Sequence, residues 1–142
     1  MCIIIGMKKK YINIAFAIYM IVLLRYTVFR GSFLKNGFFH GTWNLTLFDT
    51  YAMFIQNHAW SVFFYYLIGN IIWFIPLGLF IRYFKQYHTV TVAFTGLCVS
   101  FLIELSQWIF STGVFEIDDL ILNTIGVLIG GILMDYYLKR RG

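Results

Sequence analysis

The chain contains few charged residues. Of its 142 residues, 12% are charged and 61% are hydrophobic, with six Asp and Glu against 11 Lys and Arg. Soluble domains have about a quarter of their residues charged, so much of this surface must face lipid. We therefore expect a single integral membrane domain over residues 1–142. The basic residues separate apolar runs and form no stripe within a polar fold, which argues against a nucleic-acid partner.

Cysteine and proline are also scarce. The two cysteines, Cys2 and Cys98, have no metal-ligand spacing, and Cys98 lies in an apolar run, which argues against a disulfide between them. The single proline, Pro76, lies within the apolar run NIIWFIPLG. We expect it to kink a helix there and to free a carbonyl that Asn70 or water could satisfy.

Four apolar runs are long enough to cross a bilayer as helices, which takes about 20 residues. The segment between the first two, Gly31–Trp60, is too polar to cross and too aromatic to be a solvated loop. We expect it to lie at the membrane interface, with a short amphipathic helix near Tyr51–Trp60. The sequence thus predicts an all-α fold, an integral membrane bundle of four transmembrane helices. The four runs are Tyr11–Phe29, Ser61–Phe84, Thr89–Phe110 and Ile117–Leu138.

The distribution of lysine and arginine predicts the orientation of the bundle. With both termini cytoplasmic, most basic residues fall on the cytoplasmic side, as the positive-inside rule requires. The outer side then holds Arg30 and Lys35, and Arg25 lies near the outer end of the first run. We expect Asp135, at the cytoplasmic end, to pair with Lys139. The cytoplasmic basic residues would be Lys8, Lys9, Lys10, Arg82, Lys85, Lys139, Arg140 and Arg141.

Most of the few acidic residues fall in one window, ELSQWIFSTGVFEIDDLILNTIG. They are Glu104, Glu116, Asp118 and Asp119. An ionisable group inside the membrane is costly unless it is paired or solvated. One explanation is a structural hydrogen bond between Glu104, which could be protonated, and Asn70, Asn123 or an arginine. The other explanation is a polar pocket open to the outer leaflet. We favour the pocket because a single structural hydrogen bond does not require this many carboxylates and amides. The amides are those of Asn70, Gln107 and Asn123.

Helical spacing places these groups on two faces. One face carries Ser100, Glu104, Gln107 and Ser111, and the other carries Asp119, Asn123, Gly126 and Gly130. The last two form G-x-x-x-G, which allows a neighbouring helix to come close and would bring the two polar faces together. Successive helical residues point about 100° apart, so we expect Asp119 to point inward and Asp118 to face the rim.

Three blocks of this sequence resemble the VanZ-like family of bacterial membrane proteins. The blocks are NLTLF at Asn44–Phe48, NIIWFIPLG at Asn70–Gly78 and IELSQWIFSTGVFEIDDLILNTIG at Ile103–Gly126. The family pattern reads N-L-x-P-F, then N-x-x-x-F-x-P-x-G, then E-x-x-Q, D-x-x-D and N-T-x-G. The resemblance covers Asn44–Gly131, and the last block is its most specific part.

Two positions depart from that pattern. Leu47 replaces the usual proline of the first block, and Glu116 stands where the first aspartate of D-x-x-D is expected. Asp118 lies between the two motif positions. The resemblance implies a multi-pass protein of the bacterial cell membrane that contributes to low-level resistance to teicoplanin, a glycopeptide antibiotic with a lipid tail. Its pocket would comprise Asn70, Glu104, Gln107, Glu116, Asp119 and Asn123, and its helix-packing residues Pro76, Gly78, Gly126 and Gly130.

The functional alternatives differ in chemistry. In the first, the pocket binds a lipidated glycopeptide or another lipid-linked envelope molecule without catalysis and without a cofactor. In the second, the protein is an intramembrane enzyme acting on a lipid-linked cell-wall substrate, with Glu104 or Asp119 as general base. A divalent cation held by Glu116, Asp118 and Asp119 would suit that chemistry, because oxygen ligands favour Mg²⁺ or Ca²⁺. A small transporter is less favoured because the spans are few. The oligomeric state stays open.

Overall fold

The computed structural model of the protein describes residues 2–29, 33, 35, 37–85 and 88–140, and the side chains of these residues except 2–8 and 85. Within them lie five helices and two short strands. In chain order they are α1 (Cys2–Thr27), β1 (Thr42–Asn44), α2 (Asp49–Gln56), α3 (Trp60–Lys85), α4 (Thr89–Ile109), β2 (Val114–Glu116) and α5 (Ile117–Lys139).

Four of these helices are long and apolar enough to cross a membrane, which confirms the predicted bundle. In α1 the qualifying stretch is Lys9–Thr27, and in α3 it is Trp60–Phe84, while α4 and α5 qualify over their full lengths. A continuous helix satisfies its own backbone hydrogen bonds, as a segment surrounded by lipid must. Along α3, Trp60 and Arg82 lie about 33 Å apart at 1.5 Å per residue. That distance is close to the ~30 Å hydrocarbon thickness of a bilayer.

The closest helix pair is α3 and α5, because glycine removes the side chains between them. A Cβ atom on Gly78 would overlap the carbonyl oxygen of Val127, and one on Gly126 would overlap that of Ile71. Gly130 meets α3 in the same way. This G-x-x-x-G surface receives α3 rather than α4. The Glu104 face of α4 and the Asp119 face of α5 do meet, as expected, but they meet through the hydrogen bond from Asn123 to Ser100 and not at Gly126 and Gly130.

Helix α4 packs on another side of α5. A Cβ on Gly96 would come within 2.8 Å of the Val127 side chain, and one on Gly131 would come within 3.1 Å of Val92. Val92 and Val127 belong to the buried core, which also includes Phe74 of α3. Helix α5 is thus held between α3 and α4. On the outside of α3, the Phe16 ring of α1 packs against Phe80.

The helix α3 continues through Pro76. One turn earlier, the Tyr19 hydroxyl of α1 donates a hydrogen bond to the Trp73 carbonyl oxygen at 2.8 Å. The sequence-based expectation assigned Asn70 or water to a carbonyl near the proline. Asn70 donates its side-chain amide to Asp119 of α5. The tyrosine hydroxyl binds the Trp73 carbonyl, which is next to the Ile72 carbonyl that the proline frees.

The two connections at one end of the bundle pair with each other, and we call this end the loop end. Strands β1 and β2 are parallel, with Thr42 opposite Val114 and Asn44 opposite Glu116. This pairing was not predicted, because each strand has only three residues. The predicted short helix is present as α2, displaced two residues towards the N-terminus from its expected start. Together, these elements place the 42–56 segment over the start of α5.

The opposite end of the bundle carries the basic residues Lys9, Lys10, Lys139 and Arg140. There Arg82 of α3 forms an ion pair with Asp135 of α5. The expected pair of Asp135 with Lys139 is wrong, because the tight packing of α3 against α5 brings the arginine to the aspartate. Arg30 and Arg141, on which the predicted orientation also relies, lie outside the described residues, as do the side chains of Lys8 and Lys85.

Candidate functional site

Three elements meet at the loop end around Asp119, at the first turn of α5. Asn70, from α3, donates its side-chain amide to Asp119 Oδ1. Tyr51, from α2, is only 4% exposed and forms a side-chain hydrogen bond with Asn70. We call Tyr51, Asn70 and Asp119 the polar site. Its members come from sequence positions far apart, and only the folding of α2 over α3 and α5 brings the tyrosine into it.

The Tyr51 hydroxyl stays protonated in this environment. Burial raises the pKa of Tyr51 well above its usual value, and the negative charge of Asp119 raises it further. The hydrogen bond with Asn70 lowers that pKa, but Glu116 and Asp118 add to the increase. A neutral phenol can donate as well as accept a hydrogen bond. The polar site therefore combines a phenol, an amide and a carboxyl group.

Asp118 occupies a different position from the one expected. It is 1% exposed, and its two carboxylate oxygens lie 2.9 and 3.0 Å from the backbone nitrogen of Phe48, whose N–H they accept. The expectation that Asp118 faces an open rim is wrong. Its side chain does point away from Asp119, as the helical geometry requires, but the segment before α2 covers that direction. Asp118 thus fixes the start of α2 to the start of α5.

Glu116 and Glu104 link the strands to the helices. The Thr50 hydroxyl donates to Glu116 Oε1 at 2.8 Å and accepts a hydrogen bond from the Asn44 amide at 3.0 Å. The backbone N–H of Glu116 donates to Glu104 Oε2 at 3.1 Å. Glu104 is 1% exposed and so connects α4 to the end of β2 from within the core. Glu116 therefore joins β2 to α2, and Glu104 joins α4 to β2.

Asn123 and Ser100 form a second buried pair below the polar site. The Asn123 amide donates to Ser100 Oγ at 2.9 Å, and Ser100 Oγ lies 3.4 Å from the backbone carbonyl of Asp119. Asn123 is 2% exposed, and among the described residues its side-chain oxygen has no hydrogen-bond partner. A buried acceptor left in this way costs about 1–3 kcal/mol. The Asn123 side chain thus lies one helical turn after Asp119, with its oxygen enclosed in the protein.

Gln107 lies apart from the polar site. It is 4% exposed, and its side-chain oxygen sits over Gly113 in the turn after α4, where a Cβ would come within 2.5 Å of it. Its backbone carbonyl accepts the N–H of Thr112 at 2.9 Å. The structure thus brings together Asn70 and Asp119, with Asn123 nearby, and places Gln107 in a turn. Glu104 and Glu116 lie between these two regions.

The candidate metal ligands Glu116, Asp118 and Asp119 each take a different partner. These partners are the Thr50 hydroxyl, the Phe48 N–H and the Asn70 amide, respectively. Among the residues that the structure describes, no three His, Cys, Asp or Glu side chains are arranged to hold a metal ion. The three carboxylates therefore do not fit a common divalent cation in this arrangement.

A cavity of about 740 Å³ opens beside the polar site, between α3 and the end of α1. We call it the lateral groove. Asn70 belongs both to its wall and to the polar site. Tyr26 of α1 and Trp73 of α3, whose rings stack at 5.5 Å, line the groove where α1 meets α3. Its lining residues are Tyr26, Thr27, Ser61, Phe64, Tyr65, Tyr66, Ile68, Gly69, Asn70 and Trp73.

Sequence reasoning missed Tyr51 and Thr50, both of α2. Neither residue belongs to a polar pattern within an apolar helix, which was the signal that identified the other members. The available signal was Asn44 in the first block of the resemblance, because Asn44 binds Thr50. Their role depends on the path of the 42–56 segment across the end of the bundle.

The sequence model of one family, described as VanZ/LLP1, matches residues 14–138 of this chain. The match begins in the middle of α1 and ends one residue before the end of α5, so it includes every residue of the polar site. No protein of curated function and no solved structure matches the chain.

Proposed function

The chain belongs to the VanZ/LLP1 family, and we propose that it binds a lipid-tailed ligand at the polar site and thereby contributes to low-level resistance to teicoplanin-type lipoglycopeptides. In this proposal the protein works in the bacterial cell membrane with its loop end outward. The apolar spans keep it in the bilayer, and the polar site meets the ligand's head group. No catalytic step is needed for this role.

One observation carries the proposal: Asn70 lines the lateral groove and also binds Asp119. Ligand sites typically combine a mostly apolar wall with a few fixed polar groups, in cavities of roughly 300–1,000 Å³. The groove has that size and that composition. A molecule with an apolar tail and a polar head matches such a surface better than a water-soluble solute does.

The test compares Asp119→Asn with Asp49→Asn. Both changes remove one negative charge at the loop end, but Asp49 is exposed in the first turn of α2, whereas Asp119 is part of the polar site. In cells with equal amounts of each protein, Asp119→Asn should abolish tolerance of the lipoglycopeptide and Asp49→Asn should retain it. The readout is the minimal inhibitory concentration, measured also for a glycopeptide without a lipid tail. Full tolerance in Asp119→Asn would contradict the proposal.

Purified protein in lipid separates binding from catalysis. The wild type should bind the lipoglycopeptide saturably, and mass spectrometry should recover both the drug and a lipid-linked cell-wall precursor unchanged. Chemical modification of either compound that disappears in Asp119→Asn would instead establish the enzyme alternative.

A further inference from the structure

The aqueous side of the polar site is covered at the loop end. Tyr51 is 4% exposed and Asp118 is 1% exposed, and the Asp118 carboxylate holds the backbone of Phe48 at the start of α2. The ring of Phe54 on α2 packs at 5.5 Å from that of Tyr66 on α3. Helix α2 therefore forms a roof between the polar site and the water at this end of the bundle.

The exposed part of the polar site lies beside the lateral groove. Asn70 and Asp119 are only partly buried, and Asn70 lines the groove. Along α3, Asn70 lies about 15 Å from Trp60 at 1.5 Å per residue. Its partner Asp119 lies only about 3 Å from the start of α5 by the same measure, so the polar site falls in the half of the ~30 Å hydrocarbon core that adjoins the loop end. The groove thus gives access to the polar site at the depth of the lipid chains.

Among the described residues, helix α1 runs beside only one half of α3, because it ends at the level of the middle of that helix. Tyr26, one residue before the end of α1, stacks on Trp73, about 20 Å from Trp60 along α3. The half of α3 between Trp60 and Trp73 therefore has no α1 beside it. The stacked pair borders the groove, and the tyrosine and serine hydroxyls of its lining add polar groups to an apolar surface.

Gly69 has an environment unlike that of the other glycines in α3–α5. A Cβ on Gly78, Gly96, Gly126 or Gly130 would collide with a neighbouring helix, but a Cβ on Gly69 would have no described atom within 4 Å. Glycine in a helix interior costs about 1 kcal/mol relative to alanine, and close packing does not explain it here. The position faces the open groove, where a side chain would occupy the space.

From these observations we propose that the lateral groove is the entrance through which a membrane-resident, lipid-tailed ligand moves its head group from the lipid to Asn70 and Asp119. The ligand class is an amphiphile whose tail stays among the lipid chains while its head enters between α1 and α3. This inference rests on the proposed function. It adds the route by which the ligand reaches the polar site, and it identifies the head group as the part of the ligand that the groove receives.

The test fills the groove from Gly69 without touching the polar site. Gly69→Trp should reduce affinity for the lipoglycopeptide about tenfold or more, and Gly69→Ala, which adds only one methyl group to the same groove, should reduce it less. The matched control is Ile72→Trp, because Ile72 is a lipid-exposed residue of α3 outside the groove lining. It should bind normally. Affinity is measured with purified protein in lipid nanodiscs, and thermal stability is measured in parallel.

A second experiment immobilises the segment that covers the polar site at the loop end and leaves the groove unchanged. Cysteines replacing Trp43 of β1 and Trp108 of α4, whose rings lie 4.8 Å apart, are joined by a short bismaleimide in a background without Cys2 and Cys98. The cross-link fixes the segment that leads into α2 to the bundle, and neither residue lines the groove. Lateral entry predicts unchanged affinity and association rate after cross-linking. Loss of binding on cross-linking, or normal binding in Gly69→Trp, would overturn lateral entry while the proposed function stands.

Two further outcomes would contradict the proposed entrance. If the wild type binds no lipoglycopeptide, the proposed function fails and the entrance fails with it. If Gly69→Trp lowers thermal stability and leaves binding of the folded fraction normal, the groove accommodates part of this chain rather than a ligand head group, and the inference is wrong.

Discussion

Adjacent aspartates at the start of α5 have different roles. Asp119 binds the Asn70 side chain and so belongs to the polar site. Asp118 is buried and accepts a hydrogen bond from the backbone N–H of Phe48 with both carboxylate oxygens. Phe48 itself has a left-handed backbone conformation, with a φ of 56°. A non-glycine residue in that region is uncommon, so the carboxylate stabilises a backbone conformation that the chain would otherwise avoid.

Substitution of Asp118 should therefore act on stability. Asp118→Ala removes the acceptor of the part-buried Phe48 N–H, and the loss of one such hydrogen bond costs about 1 kcal/mol. We expect a lower melting temperature and faster proteolysis within residues 45–59. Asp118→Asn keeps one acceptor oxygen and should have a smaller effect. Asp49→Asn serves as the control, and a melting temperature of Asp118→Ala equal to that of the control would show that this contact contributes little.

At the scale of the elements, close contact between α3 and α5 holds the bundle together. Gly78 of α3 and both Gly126 and Gly130 of α5 admit the backbone of the other helix. Small residues at such interfaces are the usual way in which membrane helices approach closely, because lipid offers no hydrophobic driving force between them. The ion pair of Arg82 with Asp135 joins the same two helices at the other end.

A single methyl group should distinguish the two kinds of glycine in α3. In Gly78→Ala the new methyl group overlaps the Val127 carbonyl, so the helices must separate and the melting temperature should fall. In Gly69→Ala the methyl group meets open space, and the gain in helix propensity, up to about 1 kcal/mol, should leave the melting temperature equal or higher. Fluorescence-detected size-exclusion chromatography after heating measures both. Equal melting temperatures for the two variants would contradict this account of the interface.

Over the whole molecule, the described basic residues are more numerous at the end opposite the loop end. Lys9, Lys10, Lys139 and Arg140 lie there, as does Arg82 with its partner Asp135. Arg25 and Lys35 are the described basic residues towards the loop end, where the acidic residues Glu104, Glu116, Asp118 and Asp119 also lie. The positive-inside rule then places the loop end and the polar site on the outer side. The proposed function requires this orientation, because a lipid-tailed antibiotic arrives from outside the cell.

Labelling of single cysteines tests that orientation. Gln56, at the end of α2, and Lys139, at the end of α5, are both exposed. In a background without Cys2 and Cys98, Gln56→Cys should react with an impermeant thiol reagent on intact cells, and Lys139→Cys should react only after the cells are opened. The reverse pattern would place the polar site in the cytoplasmic leaflet and would contradict the proposed function.

The sequence by itself determined the membrane bundle and the region of the site. Apolar length alone specifies four spans, because a helix must satisfy its backbone within lipid wherever its neighbours lie. The same logic singled out Glu104, Asp119 and Asn70, since polar groups inside apolar helices are costly and so indicate an interaction. The family resemblance, confirmed over residues 14–138, drew on these same positions.

Only the tertiary structure decided which partners these groups take. The helical period gave the direction of Asp118, but whether that direction is open depends on the 42–56 segment, which has no strong periodicity of its own. In the same way, a G-x-x-x-G surface accepts any close helix, and the packing of α3 selected the partner of Gly126 and also brought Arg82 to Asp135. Tyr51 likewise belongs to the polar site only because α2 packs over α3 and α5. Local sequence fixes the direction of a side chain within its own helix, whereas the chain segment that meets it is set by the packing of the whole bundle.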